Sequence, residues 1–178
     1  MEMQILHPPR TAMEVFKILP EGTLAEVINN QLLMAASPYG GHQRMLKSLQ
    51  KKLDSWVEEN NWGELLFAPM DVYLDEVANA VQPDILILQH GGSAYVHDKG
   101  FVHGSPAIII EILSDGNQDH DKIIKKNLYE KFGVKEYFIV DPASKEVMHY
   151  LLSDGIYIQL QTTVALLRSK LLGTDIEF

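Results

Sequence analysis

The chain has 178 residues, a length suited to one domain with a real core, and its 46% hydrophobic and 22% charged content is that of a globular protein. It has no cysteine, which excludes a disulfide framework, a thiolate zinc site and a cysteine nucleophile. A formal net charge of −9 excludes a broadly basic surface for nucleic acid and leaves room for that partner only where basic residues cluster or a bound metal supplies local charge.

No apolar run approaches bilayer length, and the opening MEMQILHPPR lacks the features of a signal peptide, so no membrane association and a cytoplasmic location are expected. No repeat or linker divides the sequence, and residues 1–178 are expected to form a single domain.

In chain order, residues 11–19 suit a short amphipathic helix, with Thr11 as cap and Glu14 at capping-box spacing. Residues 24–28 and 31–36 read as a strand pair joined at Asn29-Asn30, because asparagine tolerates the positive φ of tight hairpins. Over residues 42–60, Met45, Leu46, Leu49, Leu53, Trp56 and Val57 recur at helical spacing. Residues 64–68, 71–74 and 84–88 suit strands, and AIIIEIL after Pro106 is apolar on both faces, as in a central strand. A second α-helix is predicted over residues 118–132, stopped by Gly133. KEYFIVD is a buried strand, and VMHYLL and GIYIQL alternate around Ser153-Asp154-Gly155 as a hairpin. The order predicts a mixed α/β sandwich with a central sheet and helices packed on it.

Three carboxylates stand where the pattern calls for apolar side chains: Asp84 at the head of ILIL, Glu111 inside AIIIEIL, and Glu26 between Ala25 and Val27. A buried carboxylate must be paired, protonated or bound to metal. A lone one is commonly an edge residue or an ion-pair partner. Two on neighbouring buried strands suit Mg2+ (or Mn2+), which takes one or two carboxylates and keeps positions for water and phosphate. His90, His97, His103 and His120 show no metal-ligand spacing.

Pro83-Asp84, Glu111 on the next core strand and a lysine-bearing helix together resemble the PD-(D/E)XK nuclease pattern. Through LAEVINNQLLMAASPYGGHQ, FAPMDVYLD, VQPDILIL, SPAIIIEILSD, DKIIKKNLYEKFGVKEYFIVDP and SKLLG, the chain resembles the Uma-two family of restriction endonucleases. The resemblance implies a restriction-endonuclease-like fold, a mixed central sheet flanked by helices. It also implies metal-dependent hydrolysis of DNA phosphodiesters and a homodimer. Asp84 and Glu111 match the family's metal ligands, Glu26 a glutamate of the first hairpin, and His42 a histidine at the start of the long helix. Asp121, Lys125 and Tyr129 match its helical D-x-x-x-K-x-x-x-Y spacing. One departure is Leu113, which stands where the superfamily's E-x-K element has lysine. It leaves open a non-catalytic nucleic-acid or protein-binding module on the same fold.

At about 100° per residue, Lys125 falls among Ile124, Leu128 and Phe132 on the sheet-facing side of its helix, with Lys122 at the margin and Lys126 pointing away. Lys125 is therefore expected at the site with Asp84 and Glu111. Glu26 is expected to support that site by orienting His42 or reaching the metal through water.

Overall fold

The computed structural model of the chain describes residues 8–96, 100–114 and 118–178. Helix α1 (Ala12–Phe16) opens with the expected capping box: the Glu14 N–H donates to Thr11 Oγ1 at 3.1 Å and the Thr11 N–H donates to the Glu14 carboxylate at 3.3 Å. Strands β1 (Ala25–Ile28) and β2 (Gln31–Met34) form an antiparallel hairpin turned by Asn29 (φ 50°) and Asn30 (φ 59°). Helix α2 (Gly40–Glu59) buries Met45, Leu46, Leu49, Leu53 and Val57 of the predicted stripe, with Trp56 half-buried at its margin.

Next come β3 (Gly63–Phe67), β4 (Val72–Tyr73), β5 (Ala80–Val81), β6 (Ile85–Gln89), β7 (Tyr95–Val96), β8 (Val102–His103) and β9 (Ile108–Ile112). The predicted second helix is two kinds of helix. His120–Lys125 is π-helical, and only Lys126–Phe132 continues as α-helix α3, ended by Gly133 at φ 78°. The wider π-turn alters the faces. Ile124, expected toward the sheet, is 45% exposed, while Lys125 is buried. Strands β10 (Glu136–Val140), β11 (Glu146–Ser153) and β12 (Ile156–Gln159) follow, the last two joined by Asp154 and Gly155 at positive φ. Short strands β13 (Thr163–Val164), β14 (Leu166–Ser169) and β15 (Thr174–Glu177) close the fold.

The central sheet runs β12-β11-β10-β9-β6-β3, with β13 beside β11; a second sheet runs β2-β1-β5-β4-β8-β7. In the central sheet only β9 and β10 are parallel, so the π-helix and α3 form the crossover between them. Strands β9 and β10 are buried along their whole length, because both faces are covered. On one face Ile108, Ile110 and Phe138 pack with Leu49 and Leu53 of α2 and Leu167 and Ile176 of β14 and β15. On the other, Ile109, Leu113 and Ile139 pack with Leu128 and Tyr129 of α3 and with Val72 and Val102 of the second sheet. Each such side chain taken fully from water stabilises the fold by about 1.5–3 kcal/mol. Among the described residues, no helix is long and apolar enough to cross a membrane.

One buried charge lies away from the crossover. The Glu136 carboxylate, fully buried, accepts hydrogen bonds from Ser169 Oγ and from the Lys170 N–H at 2.6 Å. These bonds tie the SKLLG turn to β10. His149 Nε2 stands 3.2 Å from Glu136 Oε1, off the direction a hydrogen bond needs, with its ring stacked on Phe138.

Candidate active site

The antiparallel register of β6 and β9 sets Ile85 against Ile110, and one step further brings Asp84 opposite Glu111. Opposite residues in such a pair share a face. The two acids that broke the apolar pattern are thus neighbours. Asp84 Oδ2 accepts from the Ile112 N–H at 2.7 Å and lies 3.0 Å from His42 Nε2, while the Asp84 N–H makes a long 3.4 Å contact with Glu111 Oε2. His42, in the first turn of α2, therefore meets Asp84. Burial works against a charged imidazole, but the hydrogen bond and charge of Asp84 outweigh it and raise its pKa.

The crossover brings three more groups over this face. Lys125 Nζ lies 3.0 Å from Glu111 Oε1, and the Tyr129 hydroxyl donates to the same oxygen at 2.7 Å. Lys125 also lies 2.8 Å from Glu26 Oε1 and 3.8 Å from Asp121 Oδ1. Glu26, reaching across from the second sheet, accepts from the Gln82 N–H at 2.9 Å and pairs with His120 Nε2 at 3.2 Å. The support expected of Glu26 is thus directed at Lys125 and His120, whereas His42 is engaged by Asp84.

The π-helix explains how His120 and Lys125 can share one partner. Residues five apart diverge by about 140° on an α-helix but lie nearly one above the other where the hydrogen bonds run i to i+5. His120, set aside in the sequence for want of metal-ligand spacing, and Gln82 are site neighbours that the sequence does not single out. Gln82 precedes Pro83-Asp84, and its Nε2 donates to the Thr23 carbonyl at 3.0 Å and to Asp71 Oδ1 at 2.7 Å. The available signal was position alone: Gln82 and His120 flank residues already singled out. Lys126 lies outside the cluster, its ammonium 5.6 Å from the centre of the Tyr150 ring. Of the other histidines, His103 pairs with Glu76 at 2.7 Å, and His97 lies outside the described residues.

The electrostatics are those of too many carboxylates around one ammonium. Burial opposes the charge on Lys125, but Glu111, Glu26 and Asp121 outweigh it and hold its pKa well above the usual lysine range. Glu111 is pushed well above the carboxylate range first by burial and then by Asp121, Asp84 and Glu26, with Lys125 opposing. Glu26 goes the other way: burial would raise it, but Lys125 and the bonds from His120 and Gln82 lower it to about 2. Lys125 is thus a fixed cation, whereas Glu111, buried among other carboxylates, resists carrying its own charge unless a further cation offsets it. Among the described residues no three His, Asp or Glu side chains are grouped to hold a metal ion. Two carboxylates are nevertheless the protein complement that Mg2+ or Mn2+ ordinarily takes, the remainder being water and phosphate oxygen. The pair Asp84 and Glu111 fits that ion by oxygen chemistry and by charge.

A mixed sheet whose adjacent strands present an aspartate and a glutamate to a lysine on the crossover helix is a restriction-endonuclease-like fold. The chain belongs to the Uma2 family, described as "Putative restriction endonuclease", whose family model matches residues 13–177. Its structure is similar to that of a protein of Anabaena variabilis ATCC 29413 described as "a putative nuclease belonging to DUF820". The TM-score is 0.74 at 17% identity, covering 93% of this chain and 92% of that one, a likeness of fold. No curated protein matches the chain.

Proposed function

We propose that the chain is a divalent-metal-dependent nuclease that hydrolyses DNA phosphodiester bonds. The observation that carries this reading is the placement of Asp84 opposite Glu111 with the Lys125 ammonium 3.0 Å from Glu111. Family membership and the fold of the Anabaena protein support it.

Asp84 and Glu111 are the residues that would hold Mg2+ or Mn2+. The ion, when bound, supplies Lewis acidity toward a phosphate oxygen and lowers the pKa of water. His42 and the Ile112 N–H fix the Asp84 carboxylate through one oxygen, and Tyr129 fixes Glu111 in the same way. Lys125 keeps its proton, so it serves as a fixed positive charge toward the phosphate and not as a base. Glu26 holds that ammonium from the opposite side. Leu113, in the position of the E-x-K lysine, is buried in the core, and Lys125 supplies the missing cation from the crossover.

A second reading, a non-catalytic binding module, is favoured by the enclosure of Lys125, 5% exposed and held by two carboxylates. Incubation with single-stranded, duplex and branched DNA in Mg2+ or EDTA separates the two. The nuclease cleaves at least one substrate in Mg2+ and none in EDTA. Retention of DNA without cleavage in any condition assigns the chain to the second class.

A further inference from the structure

The charge of the chain is unevenly distributed in a way the site does not use. From Val27 to Leu53 there is no carboxylate and there are four cations, which leaves eleven cations against twenty-four carboxylates elsewhere. Three of the four, Arg44, Lys47 and Lys51, are exposed on α2 at spacings of three and four residues, and so form one stripe opposite the buried Leu49 and Leu53. Among the described residues none of the three has an ion-pair partner, whereas Lys17, Lys125 and Arg168 do. The fourth, Lys52, donates to the Glu177 main-chain carbonyl. The stripe extends roughly 10 Å along the helix, the rise of about three nucleotides of a duplex strand.

The helix start adjoins the candidate site, because His42 in its first turn touches Asp84 at 3.0 Å. Arg44 folds back toward that end: a Cβ added at Gly40 would lie 3.2 Å from Arg44 Nη1. No acidic side chain occupies the first turn. Just before it, Met34 at the end of β2 and Tyr39 are 65% and 67% exposed, and every residue of the connection 35–39 faces solvent.

We propose that the outer face of α2, through Arg44, Lys47 and Lys51, binds the backbone phosphates of the DNA flanking the scissile bond, with Tyr39 as a stacking surface for an unpaired base. This rests on the nuclease reading above and adds where the substrate lies. Charge complementarity selects the occupant. A strand of evenly spaced phosphates matches an unpaired cationic stripe on an otherwise acidic protein, and exposed aromatic rings beside such a stripe accept bases.

The test is DNA binding by fluorescence anisotropy in an Asp84→Asn background, with Mg2+ present, between about 50 and 200 mM salt. The variant Arg44→Gln/Lys47→Gln/Lys51→Gln is compared with a control of equal charge loss, Lys131→Gln/Lys145→Gln/Lys170→Gln. The stripe variant should flatten the slope of log affinity against log salt by about 2 to 3, and the control should leave it within about one unit. Tyr39→Ala should weaken single-strand binding on the order of tenfold with the salt slope unchanged. Equal slopes in stripe and control variants overturn the proposal. So does a stripe variant with unaltered DNA affinity that turns a self-associated protein into a monomer, since the face then binds a second copy of this acidic chain. Failure of the Asp84→Asn background to bind any DNA removes the nucleic-acid substrate itself, and this surface with it.

Discussion

Lys125 Nζ lies 3.0 Å from Glu111 Oε1, although the two residues are fourteen positions apart in the chain. In the E-x-K arrangement the lysine follows its glutamate by two on the same strand; here that position is a core leucine and the ammonium arrives from the crossover. Lys125→Ala should therefore lower the cleavage rate by about 10²–10³, as loss of a preorganised cation does, and Lys126→Ala should leave it nearly intact. Single-turnover rates at saturating Mg2+ measure both. Equal losses would mean that the lysines act only as a diffuse phosphate-binding patch.

Lys125 also has a structural role that can be separated from turnover. Without it, Glu26 and Glu111 remain buried beside each other with their cation gone, which costs about 3–5 kcal/mol unless a proton or metal compensates. Lys125→Met should be destabilised to that extent in EDTA, and Mg2+ should raise its melting temperature more than that of the wild type. Thermal unfolding with and without the ion tests this. A Mg2+ response no larger than wild type counts against the Asp84–Glu111 pair as the metal seat.

The depressed pKa of Glu26, about 2 against 4.5 unperturbed, makes a pH prediction with a definite sign. A carboxyl whose folded pKa is lowered contributes stability above its unfolded value, and that contribution is lost as pH falls through the folded value. Glu26 should thus stabilise the fold on the order of 3 kcal/mol at neutral pH, with the loss falling between about pH 4.5 and 2. Glu26→Gln should flatten the urea midpoint over that window and reduce cleavage less than Asp84→Asn does. An unchanged acid profile would mean the Glu26–Lys125 contact does not set that carboxylate's charge.

Ser169 offers the opposite case, stability without chemistry. It donates to the fully buried Glu136, which sits near the far end of β10 and on the other face of the sheet from Glu111. Ser169→Ala should cost about 1–3 kcal/mol of unfolding free energy, because a buried charge loses a donor, while the Mg2+-dependent cleavage rate stays within about twofold. A large fall in rate at unchanged stability would tie the SKLLG turn to the site.

Much of this was legible because the signals were local. Asn29-Asn30 and Asp154-Gly155 announce hairpins through positive φ, the stripe of α2 has a 3.6 period, and a carboxylate in an isoleucine run stands out against its neighbours. Asp84 and Glu111 were found that way. What failed had non-local causes. Strands β5, β7 and β8 are two residues each, too short to show alternation, and are defined by their pairing: β5 between β1 and β4, β8 between β4 and β7. The π-helix is invisible to an apolar pattern that suits an α-helix equally well, so Ile124 was turned inward. His120 and Gln82 join the site through Glu26, 94 and 56 residues away: the pairing of β1 with β5 brings Gln82 to it, and the crossover lying against the second sheet brings His120.

Mn2+ binding followed by electron paramagnetic resonance tests the metal seat directly and needs no substrate. Titration should show one bound equivalent on the wild-type protein, lost in both Asp84→Asn and Glu111→Gln, each of which should retain the native circular dichroism spectrum. Undiminished Mn2+ binding in folded Asp84→Asn and Glu111→Gln proteins would contradict the assignment of these two carboxylates as the metal-holding pair.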